Sequence, residues 1–169
     1  MTSSVQLRPL LCPQCQAVLR VKPMETAWQC RACGSGVVLS RTKGPQITRL
    51  HFQQTTRAPI LGKPYWLLEL GEPLPDFVGL QQTPTQLLIP AYETDAGARL
   101  MRAQQLLFQP PHLFAAEPFP FQPAVINPDD LPAWLDLLLR KLKASPGADV
   151  KHFTFHLQLR DTNLWILPD

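Results

Sequence analysis

All four cysteines of the chain fall within 22 residues, as two Cys-x-x-Cys pairs. Cys12-Pro-Gln-Cys15 is followed by a 14-residue gap and then by Cys30-Arg-Ala-Cys33. No other feature restricts the fold as much. A Cys-x-x-Cys turn presents two thiolates on one side, with backbone N–H groups directed at the sulfurs, and two such turns supply what a tetrahedral zinc requires. The gap is long enough for two short strands to bring the chain back to the metal. Gly34, directly after Cys33, suits a turn that needs a positive φ. Gln16 stands in the equivalent place after Cys15, a departure from that pattern. Two disulfides fit less well, because paired Cys-x-x-Cys motifs are seldom structural disulfides in a chain without a secretory leader. A redox dithiol does not explain two pairs at this spacing. Iron held by the same four thiolates is a further alternative, weakened by the absent glycine after Cys15.

Residues 10–40 with these motifs resemble the zinc-ribbon superfamily, the rubredoxin-like metal folds of transcription factors, polymerase subunits and many bacterial proteins. The resemblance implies one structural zinc per chain. Four thiolates leave no open coordination position, so such a metal supports folding and does not catalyse. More loosely, Tyr65-Trp66-Leu67, Leu88-Ile89-Pro90-Ala91-Tyr92 and the stretch from Phe153 to Leu159 look like parts of bacterial proteins that carry a zinc ribbon ahead of a small α/β region. No activity follows from that likeness.

The remaining chain must supply its own core. Apolar residues make up 45% of the sequence and charged ones 17%, enough apolar content for packing and too little charge for a typical disordered chain. The 19 prolines are about twice the usual share of roughly 5% and call for short elements with long connections. No apolar run reaches the ~18 residues needed to cross a bilayer. The N-terminal residues lack a basic stretch ahead of a long apolar one, so the expected location is the cytoplasm. Charge is uneven: residues 1–43 hold six basic residues against Glu25 alone, whereas the rest holds ten basic and twelve acidic. A basic cap on a near-neutral body suits an acidic protein face or phosphates, or is simply a solvated surface.

The expected class is α+β, with a zinc ribbon over 1–44 and a small mixed domain over 45–169, containing about two helices and a short sheet. Leu39 to Pro45 is polar and ends in Gly-Pro, a turn signal that places the boundary near Gly44. Strands are expected over Ile47–Phe52, Tyr65–Leu70 and Leu87–Ile89. A first helix starts near Thr94 or Asp95, with Ala96, Leu100, Ala103 and Leu107 in one stripe widened by Met101 and Phe108. Six prolines between 109 and 128 leave no room there for regular structure. A second helix is capped by Asn127 or Asp129 and carries Leu131, Trp134, Leu135, Leu138, Leu139 and Leu142 on one face. Its acids come first and its cations last, as the helix dipole favours. The C-terminus reads as a hairpin: Phe153 to Leu159 alternating, a turn at 160–163, and Leu164–Leu167 returning.

Signatures of catalysis are absent. There is no nucleophile elbow, no phosphate-cradling glycine loop and no spare cysteine. The four histidines have no carboxylate or cysteine at ligand spacing, and the acids near helix starts read as caps. The expected function is therefore a non-enzymatic adaptor or assembly subunit that contacts a protein partner. The alternative is nucleic-acid binding through the basic ribbon. Candidate contact residues are Arg20, Lys22, Trp28 and Arg31 on the ribbon. The aromatic Pro-Phe-Pro-Phe stretch and the second helix add Phe119, Phe121 and Trp134.

Overall fold

The computed structural model describes residues 9–55, 61–71, 84–143 and 159–168. They form an α+β fold with one three-stranded and one four-stranded sheet and two α-helices. The small sheet follows chain order, β1 (Ala27–Gln29), β2 (Gly36–Ser40) and β3 (Gly44–Thr48), with both pairings antiparallel. The larger sheet holds β4 (Leu50–Phe52), β5 (Gly62–Leu70), β6 (Gln86–Pro90) and β7 (Leu159–Pro168) in the order β4-β7-β5-β6. Only β4 and β7 run parallel.

Side-chain alternation sets the layers. In β5, Trp66, Leu68 and Leu70 join the main core with Leu87, Ile89, Leu164 and Ile166. Tyr65 and Leu67 point the other way and meet Leu88, Leu106 and Leu167 in a separate cluster. A strand buried on both faces reads as a near-continuous apolar run, as β5 does. Helix α1 (Ala96–Phe108) starts at Asp95, whose carboxylate accepts from the Ala98 N–H, and packs along β6. Helix α2 (Leu131–Lys143) buries Leu131, Leu135, Leu138 and Leu139 in the main core. It is entered by a 3-10 turn, Pro128–Asp130, capped by Asn127.

Three expectations are corrected. Ile47–Phe52 is not one strand: it breaks at Arg49, and its halves belong to different sheets. Gly36 explains the closeness of that break, since a Cβ there would stand 2.6 Å from both the Thr48 carbonyl oxygen and the Leu50 side chain. The turn expected at 160–163 is instead part of β7, where Asp161, Thr162 and Asn163 pair with Glu69, Leu68 and Leu67. Polar residues at the far end of a long strand resemble turn residues when read locally. Its proposed partner over 153–158 lies outside the described residues. In α1, Met101 and Phe108 are exposed, and Leu106 and Arg99 are buried instead. The buried face is thus rotated toward Arg99, which spends its hydrogen bonds on backbone oxygens.

Residues 109–127 contain no named strand, yet they act as a strap. Ala116 N–H donates to Phe52, Gly62 N–H to Pro120, Gln122 N–H to Gly62, Ala124 N–H to Ala27 and Val125 N–H to Ala91. Prolines prevent a continuous ladder but permit single bridges where an N–H remains.

Candidate metal centre and the adjoining groove

The two cysteine pairs sit on two similar turns. Gln16 N–H donates to the Cys12 carbonyl, and Gly34 N–H donates to that of Cys30, at 2.9 and 2.8 Å. Both residues are left-handed, with φ of 61° at Gln16 and 76° at Gly34. The glutamine therefore does not alter the turn. It holds a conformation that costs an L-residue about 1 kcal/mol, which the rest of the site must over-determine. Cys12 N–H donates to Ala17 and Cys30 N–H to Ser35, closing each turn.

These turns place Cys12 Sγ 3.8 Å from Cys33 Sγ and Cys15 Sγ 3.7 Å from Cys30 Sγ. All four sulfurs lie within 4.8 Å of one another, and the cysteines are free thiols. Cys12 and Cys30 are buried, while Cys15 and Cys33 are exposed. Hydrogen bonding with the Ser35 side chain and backbone holds the Cys33 thiol down to about 6. At Cys15 the Ala17 N–H favours the thiolate, but desolvation and the three neighbouring cysteines outweigh it and push the thiol up to about 12. Thiolates this close repel one another, and a cation at the centre relieves that repulsion. This cluster can hold a metal ion.

Behind the thiols, Cys12, Leu19, Trp28, Cys30 and Val37 form a small core of their own. Trp28 is only 7% exposed, so its ring packs within this module and does not present a face to solvent. Its Nε1–H is buried and has no acceptor among the described residues. Beside it runs a groove of about 550 Å³, lined by residues of the cysteine module and of the strap. Arg20, Lys22 and Arg31 stand on its walls, all exposed, together with Trp28, Phe121 and Pro123. Glu25 is the acidic residue in that lining, and its carboxylate accepts from the Lys22 backbone N–H at 2.9 Å. Among the described residues no ion pair involves Arg20, Lys22 or Arg31.

Five of the residues singled out from sequence therefore meet at one place: Arg20, Lys22, Trp28, Arg31 and, from ninety residues later, Phe121. The other two lie elsewhere. Phe119 is half-buried against Phe52, ring centroids 5.2 Å apart, over the gap that Gly62 leaves. Trp134 is half-buried on α2 beneath the Arg99 guanidinium, 4.8 Å from its ring centre. Arg99 is a residue that sequence reasoning missed. It is 5% exposed, donates to the Pro90 and Tyr92 carbonyls, and is depressed below the usual guanidinium range by burial. Its only sequence signal was a position one turn before Ala103 on the buried stripe. His51 stacks on Trp165 at 4.9 Å and His112 lies near Phe114, so neither approaches the thiols.

No protein-family model, curated protein or solved structure matches this chain. Among the described residues no helix is long and apolar enough to cross a membrane.

Proposed function

We propose that this chain is a non-enzymatic adaptor or assembly subunit, in which a structural zinc ion fixes the cysteine module and that module contacts a protein partner. The observation that carries the reading is the closed sulfur cluster. A tetrahedron of thiolates at the ~2.3 Å zinc–sulfur distance has edges of about 3.8 Å. The shorter sulfur–sulfur separations here are 3.7 and 3.8 Å. Such a site occupies every coordination position with protein, so the metal organises a surface and leaves no place for substrate. Reduced thiols of this kind suit the cytoplasm.

The adjoining groove supports the same reading. It carries cations and apolar walls, without a nucleophile–base pair. Nucleic-acid binding is the second reading, favoured by the three cations that make no ion pair among the described residues. Trp28 weighs against it, because single-stranded nucleic acid is held on exposed aromatic faces and this ring is covered.

The test has two parts. Freshly purified, reduced protein should contain about one zinc per chain by elemental analysis. Cross-linking in cells followed by capture should then yield a protein partner whose retention survives raised salt. A metal-free preparation, or binding to nucleic acid that collapses steeply with salt, would remove the reading.

A further inference from the structure

We infer that the groove between the cysteine module and the strap is a docking site for an extended acidic peptide segment of a partner protein. The inference rests on the adaptor reading above and specifies where and by what chemistry the partner is held. Arg20, Lys22 and Arg31 bring three positive side chains to one concavity whose single lining carboxylate, Glu25, is engaged with the Lys22 N–H. A groove of about 550 Å³ accommodates a few side chains, not a folded domain. Its lining also includes the apolar side chains of Trp28, Phe121 and Pro123. Complementary occupancy therefore calls for carboxylates placed around at least one apolar side chain. Charged rims of this kind set on-rate and partner choice, and the desolvated apolar centre sets residence time.

Trp28 belongs to the groove lining, but its indole is more than nine-tenths buried and its Nε1–H is fully covered, so it offers an occupant apolar contact and no hydrogen bond. Nucleic acid offers phosphates to the same cations but finds no exposed ring on which to stack a base.

The experiment is a selection from a library of random short peptides on the zinc-loaded full chain, followed by affinity measurements on the selected peptide. Enriched sequences should carry Asp or Glu around an apolar residue. Arg20→Gln with Arg31→Gln should weaken that peptide about tenfold or more with zinc content unchanged. Arg41→Gln, in the turn after β2 where the side chain pairs with Asp130 and does not line the groove, should leave it unchanged. Selected sequences without acidic residues, or an affinity that the Arg20 and Arg31 substitutions do not alter, would overturn the inference. So would tighter binding of oligothymidylate than of any selected peptide, which would assign the groove to nucleic acid. Loss of zinc together with peptide binding in the Gln variant would also overturn it, assigning the cations to neutralising the thiolate cluster. If the groove fails while the captured partner still binds the Gln variant, the adaptor reading stands and the contact lies elsewhere.

Discussion

The cysteine module and the body solve the same problem by opposite means. The module's core is five buried residues beside four thiols that two local turns bring together. The body's core joins residues from Ala27 to Ile166 and depends on packed apolar area. A cluster as small as the module's cannot offset the conformational entropy of about forty residues without a metal or a disulfide. The two regions are nonetheless not separable at the level of side chains. Ala27 belongs to the body's core and its neighbour Trp28 to the module's; Val38 and Val37 divide in the same way. The small sheet is a shared wall, with the metal-site core on one face and the body on the other. Strand alternation permits this, because adjacent residues point to opposite faces. On the proposed function, a module ordered by its metal braces a core that does not need one, and the dependence should run mostly one way.

The largest expected effect tests that asymmetry. Cys30→Ser removes a buried thiol of the cluster, and on the proposed function it removes a zinc ligand, where structural zinc binding is of the order of 10 kcal/mol of folding free energy. Zinc content should fall to near zero and the fluorescence of Trp28 should shift to the red. The helical circular-dichroism signal of α1 and α2 should persist at low temperature, with a lower melting midpoint because Ala27 and Val38 lose their cover. Disappearance of the helical signal would show that module and body fold only together.

The converse substitution lies in the body. Leu138 is fully buried in α2. Leu138→Ala should cost about 3 kcal/mol by denaturant titration, through lost transfer energy and the cavity left behind. Zinc stoichiometry should stay at one per chain. A parallel loss of zinc would mean that the body shapes the metal site, contrary to the one-way dependence.

The strap comes next in size. A Cβ at Gly62 would meet Phe119 Cε2 and Ile166 Cγ2, each at 2.5 Å. Gly62→Ala should cost about 2 kcal/mol as overpacking. It should also raise hydrogen exchange at Gln122 and Ala124, the strap N–H groups that donate to Gly62 and Ala27. Unchanged exchange there would place the strap's order in other contacts.

The smallest effect concerns the rim of the shared wall. Arg41 pairs with Asp130 at 2.6 Å, both side chains substantially exposed at 62% and 36%. Arg41→Ala should change stability by under about 1 kcal/mol, and less in high salt. The Asp129 carboxylate accepts from the Arg41 N–H, a contact that survives the substitution. A loss of several kcal/mol would make this ion pair a principal tie between module and body.

How much of this was readable without the fold depends on the range of each interaction. The Cys-x-x-Cys turns use hydrogen bonds within five residues, so spacing alone identified Cys12, Cys15, Cys30 and Cys33 as a cluster that can hold a metal. The same locality explains α2: its stripe, its cap at Asn127 and its C-terminal cations are all periodic or adjacent signals. The proline content likewise indicated short elements, and apolar periodicity an α+β chain.

Tertiary structure decided what depends on distant partners. Asp161 to Asn163 form strand because Glu69 to Leu67 lie beside them, and no local preference reports that pairing. Ile47 and Phe52 part company because the chain changes sheets within two residues. Arg99 is buried because the Pro90 and Tyr92 carbonyls are there to accept its protons. Phe121 shares a groove with Arg20, Lys22 and Arg31 because the strap bridges Gly62 and Ala27, nearly a hundred residues from Ala124 in the second case. Sequence fixes charge, periodicity and ligand spacing, since each is a property of neighbours. Which distant surfaces meet is set by the packing of the whole chain, where each burial constrains the next.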